Sequence, residues 1–333
     1  MIIPRWWAEA RHVERLPGRR QVTLRRFGWS SESQEEADAH ARERIERALA
    51  ELRDAGPDAM AASQRREPLA AYLVDGLPIR EEIVREWEDE GVVVTRNVYG
   101  ALCLNTEDAL FVDIDHSDGP GGGAGCIGAL VGAAAGLACA RWWLGWPALA
   151  GAGLGLVAGA WIGNVLTRLR RRLDRRARDL RAFVAERLRT WCARHPRFRV
   201  AVYETPAGLR LLALHSGFDA DGDDTAEFMR HVTADPLYAR MCRVQRCFRA
   251  RVSPKPWRAG IADHLRGGTW PVRDPEKLAG RAEWVARYDR AASAFAACRL
   301  VETVGGGGED GRIAKIQRIH DELSRAHSGL PLA

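Results

Sequence analysis

Apolar and polar positions alternate in "RQVTLRRFGWS", residues 20 to 30, and that period of two predicts a strand. The next stretch, "SSESQEEADAHARERIERALAELRDAG", changes to a helical period: Ala37, Ala41, Ile45, Ala48 and Leu52 fall on one face. Serines at its start, acidic residues in its first turn and Gly56 at its end suit the two termini of a helix. After a loop around residues 55 to 68, "IREEIVREWEDEG" is expected to be helical, and "VVVTR", "GALCLN" and "ALFVDID" to be short strands. "NTED" between the last two is expected to turn a hairpin. Farther on, Leu180, Phe183, Val184, Leu188 and Trp191 recur at helical spacing. "FRVAVYETPAGLRLLALH" then gives a strand, a Pro/Gly turn and a strand, followed by helices near 224 to 245. "CFRARVSPKPWR" and "CRLVETV" are predicted strands, and "EKLAGRAEWVARYDRAASAFAA" and "DGRIAKIQRIHDELSRA" predicted helices. Strands mixed with helices, several in hairpins, predict an α+β fold with a mixed or antiparallel sheet, primase-like or ferredoxin-like in character.

One stretch obeys neither period. From Ala124 to Val165 the single charge is Arg141, over about twice the ~20 residues that cross a bilayer once. Trp142, Trp143, Trp146 and Pro147 in its middle mark a turn at headgroup level. Glycines spaced by four, Gly128, Gly132 and Gly136 and then Gly151, Gly155, Gly159 and Gly163, line one face of each half. Such faces let membrane helices approach closely. A two-helix transmembrane hairpin over 124–166 is therefore expected, inserted between 1–123 and 167–333 of one cytosolic α/β domain. A buried soluble helical pair and a Gly/Ala linker are the alternatives. Arg168, Arg170, Arg171, Arg172, Arg175, Arg176, Arg178 and Arg181 follow directly, and arginines beside a span stay on the cytoplasmic side. The lipid bilayer is thus an expected partner, with both termini on the cytoplasmic side of a bacterial inner membrane. Homo-oligomerisation through the glycine faces is a further expectation.

Composition supports this placement without adding a nucleic-acid signal. The 333 residues are 46% apolar, enough to fill a core, and the net charge of +6 resides mainly in the 168–181 arginines. Lysine occurs only at Lys255, Lys277 and Lys315, so the arginine bias follows a GC-rich bacterial gene, and a nucleic-acid partner is left open. Seven cysteines without a C-x-x-C pair predict reduced thiols in preference to a disulfide framework or a zinc ribbon. The start "MIIPRWWAEARHVERL" does not resemble a signal peptide.

The chemistry concentrates at "ALFVDID". On a strand, Asp113 and Asp115 share one face about 7 Å apart, an arrangement that suits a divalent ion and its phosphate ligand. The alternative is that the aspartates cap a loop or pair with arginines. Arg249 and Arg251 at period two, followed by Lys255, could grip a phosphorylated ligand or neutralise Asp113 and Asp115. "VGGGGEDGRIAK" lies between a strand and a helix but lacks the ending of a P-loop. His320 with Asp321 in the last helix is expected to take an exposed or capping role, with a general-base pair as the alternative.

The order "NVYGALCLNTEDALFVDID", then a helix, then "RVAVYETPAGLRLLAL" resembles the catalytic core of the archaeo-eukaryotic primase and primase-polymerase superfamily. The resemblance implies Mg²⁺ or Mn²⁺ on Asp113 and Asp115, a nucleotide ligand and nucleotidyl transfer. The family's nucleotide-binding histidine is met by His215 only after a shift of four from the aligned Leu211. Its third acidic position is occupied in this chain by Arg249 and Arg251. Metal-dependent nucleotide or phosphate binding, or a degenerate nucleotidyl-transfer core, is the function expected; a non-catalytic scaffold oligomerising through the glycine faces is the alternative.

Overall fold

A computed structural model describes residues 3–15, 21–55, 67, 77–115 and 180–333. The predicted membrane hairpin, its glycine faces and most of the arginine cluster lie outside the described residues. Among those described, no helix is long and apolar enough to cross a membrane. The chain divides into two compact units, Met1–Ile114 with Trp191–Ala333, and Asp115–Thr190. The first is assembled from sequence on both sides of the second.

The fold is α+β with antiparallel sheets. At the N-terminus β1 (Trp6–Arg15) pairs antiparallel with β2 (Gln21–Ser30), from Trp6 opposite Ser30 to Arg15 opposite Gln21. Helix α1 (Gln34–Ala55) covers this ribbon. Its apolar face buries Ala37 and Ala41 against Ala8, and Ala48 and Leu52 against Val22 and Leu24. The fit depends on small residues, because a Cβ at Gly28 would stand 2.2 Å from the Ala37 oxygen and the Ala41 nitrogen.

One four-stranded sheet has the order β3 (Glu82–Trp87), β4 (Val92–Arg96), β5 (Leu102–Thr106), β9 (Phe248–Arg251). Residues 82–87, expected to be helical, are thus a strand. Ile83 and Val84 are β-branched, and "EDEG" closes a tight turn in which the Gly91 amide donates to the Glu88 oxygen at 3.1 Å. Gly91 has φ +62°, the same left-handed glycine that would end a helix.

The second sheet has the order β10 (Arg299–Val304), β7 (Val200–Thr205), β8 (Gly208–Ala213), β6 (Phe111–Asp115). β7 and β8 form the expected hairpin, Thr205 facing Gly208. β5 and β6 do not form theirs, since they belong to different sheets. The chain instead crosses between sheets at "NTEDAL", where Ala109 and Leu110 are fully buried. The crossing is fixed by the Phe218 amide donating to the Asp108 oxygen (2.8 Å) and the Ala213 amide to the Leu110 oxygen (3.1 Å). Burying two apolar residues holds the loop in the core where a solvent-exposed turn was expected.

Helices α2 (Leu180–Arg194), α3 (Asp223–His231), α4 (Pro236–Gln245), α5 (Pro275–Ala292) and α6 (Gly311–Ser324) complete the described elements. Asp235, Asp274 and Asp310 cap α4, α5 and α6 by accepting from amides of their first turns. Every residue of β8 is buried, Arg210 included, so that strand reads as a continuous apolar run broken by one charge.

Candidate functional site

Arg210, only 1% exposed, is the charge around which the centre of the protein is built. Its Nε donates to Asp113 Oδ1 at 2.8 Å and its Nη2 to Asp113 Oδ2 at 3.2 Å, a two-pronged pair across β8 and β6. Its Nη1 donates to the Arg251 carbonyl at 2.7 Å and so ties the second sheet to the first. Burial works against the guanidinium charge, yet the adjacent Asp113 carboxylate raises the Arg210 pKa above its ordinary value. Asp115 ends β6 in an exposed position. Both oxygens of Asp113 therefore hold a cation that belongs to the protein itself. A divalent ion would have to displace it, and among the described residues no group of three His, Cys, Asp or Glu side chains could hold a metal. Of the expected pair, Asp113 is thus already matched by Arg210, and Asp115 is the exposed carboxylate.

Behind Arg210 the charged chain continues to the surface. His320, fully buried on α6, places Nε2 3.4 Å from Arg210 Nη1 and 3.8 Å from Cys298 Sγ. Its Nδ1 lies 2.9 Å from Asp321 Oδ1, and Asp321 Oδ2 lies 3.0 Å from Nε2 of the exposed His327. The Phe111 and Tyr203 rings pack on the imidazole at 5.1 and 4.8 Å. Burial opposes protonation of His320, but the Cys298 sulfur and the Asp321 carboxylate outweigh it and raise its pKa. Asp321 shifts the other way: burial opposes its charge, and His320 more than compensates, lowering it. The expectation of an exposed or capping His320 is thereby corrected, because Phe111, Tyr203 and Cys298 enclose it.

These opposite shifts give a pH window with a defined sign. The raised His320 stabilises fully below its unfolded value near ~6.5 and loses that contribution as pH rises through the folded value. The lowered Asp321 stabilises above about 4 and loses its contribution as pH falls through its folded value. The pair is at full strength between those limits. In Asp321→Asn the fall in urea midpoint on acidification below about pH 4 should shrink relative to the parent protein. An unchanged acid limb, followed by tryptophan fluorescence, would show that Asp321 carries no linked charge.

The basic strand does not converge on Asp113. Arg249, 7% exposed, pairs with the buried Glu81, whose Oε2 also accepts from Thr95 Oγ1 at 2.5 Å. The Arg251 side chain acts on Tyr99. Lys255 Nζ lies 5.5 Å from the centre of the exposed Trp257 ring. β9 lies beside β5, so its side chains serve the first sheet while Asp113 belongs to the second.

His215 lies elsewhere, in a cleft of about 900 Å³. Trp191 and His195 stack there at 4.0 Å and 21°, and Phe198 meets His215 at 4.1 Å and Phe218 at 5.8 Å. Arg194 and Arg197 contribute positive charge to the lining, Asp219, Asp223, Asp224 and Glu227 negative charge. Burial holds the His215 pKa below its ordinary value, against the pull of the Arg199 backbone. The glycine run closes one side. A Cβ on Gly307 would lie 1.8 Å from the Arg197 oxygen, and Gly308 lines the cleft. Gly307 thus serves close backbone packing.

Two participants escaped the sequence. Arg210 sits in a hairpin whose pattern is otherwise apolar, and that lone charge in "GLRLLAL" was the available signal. Cys298 lies about twenty residues from His320, and only the fold brings them together. The chain matches no protein-family model, and neither curated proteins nor solved structures include a match to it.

Proposed function

We propose that this chain is a membrane-tethered ligand-binding protein whose cleft beside His215 takes a nucleotide-sized molecule, without nucleotidyl transfer at Asp113. The observation that carries the reading is the cleft's composition. Its volume of about 900 Å³ lies in the range of small-molecule sites. The faces of Phe218 and His195 offer stacking surfaces for a base. The carboxylates of Asp219 and Glu227 can accept from sugar hydroxyls, and Arg194 and Arg197 supply the charge that a phosphate needs. The two-pronged Asp113–Arg210 pair supports the absence of transfer chemistry. The resemblance to the primase core then stands for a shared nucleotide-binding ancestry of shape, and the hairpin over 124–166 for the tether.

Calorimetric titration of the detergent-solubilised full chain with ATP and GTP, with and without Mn²⁺, tests this. Binding should be independent of Mn²⁺ and weakened by Phe218→Ala by about 1–3 kcal/mol, the usual loss for one stacked base. Absence of binding would remove the reading. Binding that needs Mn²⁺ and disappears in Asp115→Asn would move the site to the acidic strand.

A further inference from the structure

We propose that Cys298 is a peroxide-accepting thiol, oxidised to a sulfenic acid whose added oxygen is held by Ser324. This inference rests on residues that do not line the His215 cleft, and it does not depend on the reading of that cleft. Three features of one small region support it.

The first is a base in place. His320 Nε2 stands 3.8 Å from the Cys298 sulfur and 3.4 Å from Arg210 Nη1, and Nδ1 is engaged by Asp321 at 2.9 Å, so Nε2 is the nitrogen that faces the thiol. Burial opposes ionisation of the thiol, but His320 outweighs it and holds the Cys298 pKa below the ordinary value. Two other buried cysteines differ. Burial raises Cys242 well above the usual thiol range and pushes Cys247 up to about 11. The thiolate is the form that attacks peroxides, so the three cysteines are sorted by environment and not by exposure, since all are buried.

The second is a buried hydroxyl poised at the sulfur. Ser324, 1% exposed, lies one helical turn from His320 on α6, on the side of Cys298. Its Oγ makes no hydrogen bond of ordinary length. An oxygen added to the neighbouring sulfur would accept from it.

The third is a route by local opening. The segment carrying Cys298 is held by the end of α6 and by the tail. The Ala297 amide donates to the Ser324 oxygen (2.9 Å), the Leu300 amide to the Ala326 oxygen (3.2 Å) and the Ala333 amide to the Ala296 oxygen (3.1 Å). The tail is tied by the exposed His327 on Asp321 and by the half-buried Arg325, whose Nη1 donates to the Ala292 and Phe295 oxygens at 2.8 and 3.0 Å. Short peripheral segments open at low free energy, and hydrogen peroxide is scarcely larger than water.

The reaction balances with hydrogen peroxide as oxidant. His320 takes the thiol proton, and the sulfur attacks one peroxide oxygen. The S–O bond forms as the O–O bond breaks, and the departing hydroxide recovers the proton from His320 and leaves as water. Sulfur loses two electrons and peroxide gains two. Ser324 Oγ then donates to the new oxygen.

The test is brief exposure of the full chain to hydrogen peroxide with dimedone, which captures sulfenic acids, followed by peptide mass spectrometry. The Cys298 adduct should exceed those at Cys242 and Cys247 by about tenfold or more, and His320→Gln should reduce it to their level. Because His320→Gln alters a fully buried side chain, Ser324→Ala is the second variant. It should retain the parent melting midpoint and lose most of the Cys298 adduct. A Cys298 adduct no stronger than the others, or one undiminished in a folded Ser324→Ala protein, overturns the proposal.

Discussion

Asp113→Asn is expected to lower the unfolding free energy by about 3–5 kcal/mol, whereas Asp115→Asn two residues on should change it by less than about 1. The asymmetry follows from what each carboxylate leaves behind. Removing the charge of Asp113 strands a guanidinium that is 1% exposed and that cannot give up its proton. Removing that of Asp115 alters an exposed strand end. Urea midpoints followed by tryptophan fluorescence measure both. The double variant Asp113→Leu with Arg210→Met should recover most of the loss, because a buried ion pair exchanged for apolar groups of similar size is nearly neutral. Equal losses for the two aspartates would refute the structural role given to Asp113.

The second large effect is expected at Gly307→Ala, a loss of about 3 kcal/mol or more, as overpacking against backbone allows no rotamer escape. Contacts of 1.8 Å to the Arg197 oxygen and 2.4 Å to its carbon require the chain itself to move. Gly306→Ala and Gly308→Ala are the controls, since a Cβ at either meets nothing within 4 Å. Each should be neutral or stabilising by about 0.5 kcal/mol through the unfolded chain. Arg197 and Phe198 form part of the cleft wall, so Gly307→Ala should also weaken any ligand held there. Thermal midpoints of the three variants decide the point: similar values would mean that the run is a plain flexible turn.

The residues explain why some of this was legible and some was not. β2, α1 and the β7–β8 hairpin followed from local patterns, because each has one side that the rest of the chain hides. The helix expected over 79–91 failed because Glu, Arg and Trp carry no strong period there, and the pairing with β4 decided the outcome. The hairpin expected at "NTED" failed for a related reason, since its turn residues are compatible with a loop whose neighbours are supplied by Ala213 and Phe218, about a hundred residues away. At the site, the shared face of Asp113 and Asp115 was readable from strand geometry. The partner of Asp113 was not, because the sequence pointed to Arg249 and Arg251, which sheet membership places apart from it. His320 was visible as a candidate, and its burial was not.

The placement of strand partners also sets a timetable for synthesis. β6 waits for β8, and β5 for β9, across roughly a hundred residues or more of later sequence. At roughly 5–20 residues per second a ribosome needs on the order of ten seconds to supply them. Throughout that interval two strand edges stand open beside the tunnel exit while the whole of 115–190 emerges first. A nascent chain built this way depends on being guarded before it can close, and slowing translation beyond residue 190 should prolong its hold on chaperones.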